Sequence, residues 1–175
     1  MAKSRGGEEE NNSATKTKRK QPCPKNVCEG KDPAAEARAW QGPDNEPYLG
    51  VDAYTNTVIK KGTILYTLYP HGMKPNILSN PTPNYYVDHK QVLSTRGKGA
   101  RAYNDAIQIS HNDNYSGARP MRTQLHKFVV TKDICVAQGV AKNNSNFGAG
   151  GGTQYFISNN DKMSIKPTTM IYKIK

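Results

Sequence analysis

Hydrophobic positions divide the chain before anything else does. Residues 1–20 carry the polar run Gly-Gly-Glu-Glu-Glu-Asn-Asn-Ser, followed by Lys16, Lys18, Arg19 and Lys20. No core can be built from that, so a disordered tail is expected. Residues 21–47 hold six prolines or glycines before Pro47, and the only tryptophan, Trp40. Within them Asp32-Pro33-Ala-Ala-Glu-Ala-Arg-Ala-Trp40 predicts a short helix. Asp32 offers an N-cap acceptor, Pro33 suits the first helical position, and Gly42-Pro43 ends the run. All ten tyrosines and all three phenylalanines follow residue 47. The expected organisation is therefore a flexible linker over 1–47 and a packed domain over 48–175.

In that domain the apolar pattern has mostly the period of strands. Thr57–Tyr69 is rich in β-branched and aromatic residues and is interrupted at Lys60-Lys61-Gly62. Further strands are expected at Asn84–Val87, Thr123–Thr131, Cys135–Ala141, Thr153–Ser158 and Thr168–Ile174, with Leu125, Phe128 and Val130 pointing inward. Gly99–Ile109 places Ala102, Ala106, Ile107 and Ile109 at helical spacing. Residues 70–83, 110–120 and 142–152 read as loops. The sum is an α+β domain, a small and mainly antiparallel sheet with one or two short helices. No run approaches the ~18 apolar residues of a membrane span, and the start lacks the apolar core of a signal peptide. Three cysteines are too few for a disulfide framework. Cys23 and Cys28 form a C-x4-C pair without two further zinc ligands nearby, which leaves free thiols or an extracellular disulfide; Cys135 is expected to be buried and inert.

Charge narrows the chemistry. Residues 1–47 are nearly balanced, with nine basic and eight acidic side chains, whereas residues 48–175 have sixteen basic residues against six aspartates. A domain this basic expects an anionic partner. No glutamate follows Glu46. That excludes any mechanism of the domain needing a glutamate acid, base or nucleophile, including ADP-ribosyl transfer of the usual glutamate-dependent kind. A glycosidase-type carboxylate pair could draw only on Asp52, Asp88, Asp105, Asp113, Asp133 and Asp161. One alternative is a single-metal nuclease of the HNH kind, built from Asp88, His89, Asn104 and His111, for which the basic domain would suit DNA. A non-enzymatic binding module is another.

The most unusual segment is Phe147-Gly-Ala-Gly-Gly-Gly-Thr-Gln-Tyr155-Phe156-Ile157. It is not a P-loop, because no Gly-Lys-Ser/Thr follows and a strand comes next. The run resembles the Gly-Gly-Gly-x-Gln-Tyr segment of the tuberculosis necrotizing toxin family, which are NAD glycohydrolases. Leu125-His126-Lys127-Phe128-Val129, ending downstream at Gly139, is similar to that family's histidine-bearing strand. Gly62-Thr63-Ile64-Leu65 and Asn84-Tyr85-Tyr86-Val87 are similar to its first two strands. The span also resembles the C-terminal toxin domains of bacterial polymorphic effectors, where a strand entry like Arg119-Pro120-Met121 recurs.

The resemblance implies a toxin domain that cleaves the nicotinamide–ribose bond of NAD(P)+, its substrate, with no cofactor and no metal. It implies Gln154, His126 and Arg119 as catalytic, and Tyr66, Tyr85, Tyr86, Arg101, Phe147, Gly150, Gly151, Gly152 and Tyr155 as substrate-binding. The family's second arginine has four candidates, Arg96, Arg101, Arg119 and Arg122. It implies delivery by a larger effector or secretion system and action in the target-cell cytoplasm, with no nucleic-acid or membrane partner. An acidic immunity protein is expected to plug the basic cleft. The chemistry agrees with the composition: the leaving group departs neutral from a pyridinium, so no general acid is required. Gln154 can hydrogen-bond a ribose hydroxyl or orient the attacking water. Its place at the end of the glycine run predicts an exposed side chain at a cleft rim. Arginine can grip a pyrophosphate, and an aromatic ring can stack on a base. Of Tyr85 and Tyr86, on opposite faces of a strand, one is expected in the core and the other toward the cleft.

Overall fold

The computed structural model describes residues 26–41, 53–70, 83–109, 121–145 and 147–175. Three short helices and seven strands lie within them: α1 (Pro33–Gln41), β1 (Thr55–Ile59), β2 (Ile64–Tyr69), β3 (Tyr85–Tyr86), α2 (His89–Ser94), α3 (Gly99–Ala106), β4 (Gln124–Val130), β5 (Ile134–Val140), β6 (Thr153–Phe156) and β7 (Ile165–Lys173). A 3-10 turn, Asn159–Ser164, precedes β7. The strands form two antiparallel sheets, ordered β1-β5-β6-β3 and β2-β4-β7. The class is α+β with few helices. No helix among the described residues is long and apolar enough to cross a membrane.

The sheets share one core. Ile59, Ile134, Val136 and Tyr86 from the first meet Leu65, Phe128, Val130 and Ile165 from the second. They join at a corner where Tyr66 and Val87 exchange both backbone hydrogen bonds at 2.8 Å. On the outer side of the second sheet, Tyr66, Leu68 and Leu125 pack against Tyr103 and Ile107 of the α3 region. Leu125 is therefore buried on the opposite face from Phe128 and Val130, as their odd spacing along a strand requires. Alternation along β4 thus serves two cores.

The boundary at residue 47 does not separate linker from fold. Residues 26–41 are part of the packed structure: Ala34 and Ala37 of α1 bury against Tyr54, Ala137 and Phe156 of the first sheet. Asp32 caps α1 by accepting the Ala35 N–H at 3.0 Å, as its position before Pro33 predicts. Lys31 pairs with Asp161 at 2.8 Å. The cysteine expectation is also corrected. Cys28 is bonded to Cys135, across 107 residues of chain, so Cys135 is no free thiol and one disulfide does staple the fold. The pairing was hidden because the C-x4-C spacing drew attention to a local partner; Cys23 lies outside the described residues.

Candidate functional site

The helix α2, which no apolar period announced, shapes the site. Asp88 stands before it in extended conformation and accepts the Gln91 N–H at 2.8 Å, an N-cap. Its other carboxylate oxygen accepts from the Tyr155 hydroxyl at 3.2 Å. Gln91 is buried; its side-chain oxygen accepts the Thr153 N–H at 3.0 Å and its Nε2 donates to Ser94 Oγ at 3.1 Å. Two links therefore tie α2 to β6. Burial, then the charge of Asp88 and the bond to it, push the Tyr155 hydroxyl up to about 12. The phenol stays protonated and remains a donor to the carboxylate.

Glycine sets the opposite wall. Gly152 N–H donates to Ala106 C=O at 2.8 Å, and a Cβ at this position would come within 2.6 Å of the same oxygen. Gly150, at φ +67°, has no room either: a Cβ would meet the Ala141 oxygen at 2.5 Å. The glycine run thus lets the loop press onto the end of α3. Its amides go into the fold, Gly150 to Asp105 C=O and Gly151 to Ala141 C=O. The loop is not an amide cradle for phosphate.

Between α2, α3 and this loop lies a cleft of about 470 Å³, within the size range of small-molecule sites. Asp88, Lys90, Gln91, Thr95 and Lys98 line one side; Ala102, Ala106 and Gly150 to Thr153 line the other. Asp88 is the only carboxylate on this wall. Lys90 and Lys98 are exposed, and neither has an ion-pair partner among the described residues.

The cleft brings together some of the expected residues and leaves others elsewhere. Gly150, Gly151 and Gly152 line it, and Tyr155 reaches Asp88 on its wall. Tyr66 is buried and does not line it; its hydroxyl is 3.2 Å from Nδ1 of His89. Gln154 is not at a rim. It is buried and donates from Nε2 to the Ile107 carbonyl at 2.9 Å, tying β6 to the chain just after α3. Tyr85 and Tyr86 do not divide between core and cleft: Tyr85 stacks edge-on against Trp40 and Phe156, and Tyr86 against Phe128. Phe147 is 1% exposed, so its ring offers no stacking face to a ligand. Arg101 points along α3 toward Asp105, at 3.7 Å. Arg119 and His111 lie outside the described residues.

His126 sits between the sheets. Its ring is 4.7 Å from that of Tyr69, it is 2% exposed, and its Nε2 has no hydrogen-bond partner. Burial holds its pKa below the ordinary imidazole value, so the ring is neutral. The hydroxyl of Tyr86, another residue of this core, is likewise unpartnered. The described members of the nuclease constellation do not converge. Asp88 caps α2, His89 faces Tyr66, and Asn104 is fully buried, donating to the carbonyls of Ala100 and Arg122. No group of three or more metal-ligating side chains forms among the described residues. Lys90, Gln91 and Lys98 were not singled out from sequence, and Asp88 was read only as a metal ligand or as one of six aspartates open to a carboxylate pair. One signal was available: Asp88-His-Lys-Gln91 has the spacing of a helix-starting capping box.

A sequence model of the Rhs1 C-terminal toxin domain family matches residues 29–159. Among solved structures the chain is similar to Rhs1-CT, determined in complex with its cognate immunity protein RhsI1. The identity is 23%, over 82% of this chain and 96% of that one, with a TM-score of 0.63. Two looser likenesses are to Tse6 in complex with Tsi6 (19% identity, 81% and 87% covered, TM-score 0.44) and Tne2 in complex with Tni2 (11%, 70% and 92%, 0.48). No curated protein matches the chain.

Proposed function

The chain belongs to the Rhs1 C-terminal toxin domain family, and from that premise we propose that this toxin domain is an NAD(P)+ glycohydrolase working in the α2–α3 cleft. The observation that carries the reading is the cleft wall itself. Gly150 to Thr153 of the Gly-Gly-Gly-Thr-Gln-Tyr run, which resembles that of known NAD glycohydrolases, line the cleft with a single carboxylate, Asp88, held by Gln91 N–H and Tyr155 OH. As the nicotinamide–ribose bond breaks, its electron pair leaves with the nicotinamide, which departs neutral. Positive charge grows on the ribose, and a fixed carboxylate stabilises it. Water then bonds to C1′ and releases a proton to solvent, giving ADP-ribose. Asp88 is already oriented by two donors, so little reorganisation is needed as charge develops. Gln91 and Tyr155 act as positioning residues through it. With no glutamate among the described residues that line the cleft, the site suits hydrolysis better than glutamate-dependent transfer to protein.

The toxin works after delivery into a target cell as part of a larger effector, and its producer needs an inhibitor. An acidic immunity protein covering the lysine-bearing cleft meets that need; the similar Rhs1-CT is itself solved with a cognate immunity protein. The deciding experiment incubates purified protein with NAD+ and NADP+ in EDTA and follows nicotinamide and ADP-ribose products by chromatography. Stoichiometric release of both supports the reading. Intact dinucleotide at micromolar protein overturns it.

A further inference from the structure

Resting on that reading, we propose that Lys90 and Lys98 recognise a phosphate monoester on the substrate, so that the domain prefers NADP+ to NAD+. The cleft has two ammonium groups without ion-pair partners among the described residues. Its one carboxylate is engaged by Gln91 N–H and Tyr155 OH. Asp105, the nearest acid of α3, is paired with Arg101 at 3.7 Å. Nothing on the described wall neutralises the lysines, so both are free to meet an anionic ligand. The loop amides are consumed within the fold, so anion recognition falls to side chains. The chemistry of those side chains points one way. An arginine fork suits paired oxygens, whereas lysine is a compact point charge on a flexible stem, suited to a terminal dianion. The two lysines also belong to different helices: Lys90 lies in the first turn of α2, which spans His89–Ser94, and Lys98 is the N-cap residue of α3. NAD+ offers one pyrophosphate; NADP+ adds a separate 2′-phosphate, giving each lysine a phosphate to meet.

The test has a binding arm and a turnover arm. Calorimetry compares adenosine 2′,5′-bisphosphate with adenosine 5′-monophosphate, and kinetics compare kcat/KM for NADP+ and NAD+. The expected result is a preference of about tenfold in both arms. In Lys90→Ala/Lys98→Ala it falls to within about twofold, and in Lys90→Arg/Lys98→Arg it persists. Thermal melts confirm that each variant folds; both positions are exposed. Equal binding of the two nucleotides by the wild type overturns the proposal, as does a preference surviving in the double-alanine variant. The two readings fail separately. NAD+ cleavage without any NADP+ preference removes the lysine assignment and leaves the hydrolase. Preferential binding of the bisphosphate with neither dinucleotide cleaved removes the hydrolase and leaves the phosphate site.

Discussion

Two polar regions of this molecule look alike in composition and differ in bonding. On the cleft wall the polar groups of Asp88, Gln91 and Tyr155 are tied to one another or to β6. Between the sheets, the Nε2 of His126 and the hydroxyl of Tyr86 are buried with no partner. A buried polar atom without a partner costs about 1–3 kcal/mol, so fold stability does not explain the second arrangement, while it goes far to explain the first. Accessibility runs the other way: the tied network borders open space, and His126 is closed off. The difference teaches that hydrogen bonding in the cleft is preorganisation of a usable surface. The inter-sheet groups are held ready for nothing that reaches them in this conformation.

The largest effect acts on both regions at once. Cys28→Ser removes the clasp between residues 26–41 and β5. Closing a loop of this length is worth about 4–5 kcal/mol in the chain-entropy model. Thermal melts with and without reductant should show the wild type falling to the variant's midpoint on reduction. If the cleft is preorganised by its own network, kcat below the melting range should stay within about threefold of wild type. A hundredfold loss in the still-folded variant would show that the clasp, and not the local network, sets the cleft.

Asp88→Asn is the sharpest probe of the cleft alone. Asparagine caps helices as well as aspartate, so α2 should persist. Loss of the fixed charge should lower kcat/KM for NAD+ by roughly 10²-fold, the scale seen for one positioned electrostatic group. Activity within threefold of wild type, with an unchanged melt, would move the chemistry away from this wall and back toward His126.

Gln154→Ala now reads as a structural change. The exposed-rim expectation implied near-neutral stability, within about 0.5–1 kcal/mol. The observed bond to the Ile107 carbonyl, made by a buried amide, implies a loss of about 1–3 kcal/mol. Denaturant melts decide between these values. If stability is untouched while activity collapses, Gln154 faces substrate in the working enzyme and the cleft extends further than described.

Much of the fold was legible in sequence because it is written in local chemistry. Asp32-Pro33 announced α1, and the Lys60-Lys61-Gly62 interruption divided β1 from β2 where Gly62 indeed turns with positive φ. The partition of β4 between two cores was not legible, since Leu125 and Phe128 are equally apolar and only the packed elements say which face each meets. The same holds for Cys28 and Cys135, distant in sequence. Of the site, the glycine loop and Tyr155 could be seen; α2 carried no signal but its capping-box spacing, because six residues have too little periodicity to stand out from a loop. Gln154 was misplaced for a related reason. A polar residue at a strand end reads as exposed until one knows that the end of α3 lies over it.

The smallest effect separates the two regions by pH. His126 is neutral when folded and titrates in the unfolded chain near 6.5, with its folded pKa held lower by burial. Below the unfolded value the unfolded state binds a proton that the native state does not, so stability falls as pH drops through that window toward the folded pKa. Above it, the contribution is flat. His126→Gln keeps a neutral polar side chain of similar reach and removes the titration. The slope of unfolding free energy against pH between the two pKa values should therefore diminish in the variant, while kcat/KM at pH 7.5 stays within about threefold. Chemical denaturation at several pH values, with activity assayed on the same samples, reads both. A variant whose stability profile is unchanged but whose turnover falls tenfold or more would show that the inter-sheet histidine is reached by substrate after all, and would reverse the assignment of roles between the two regions.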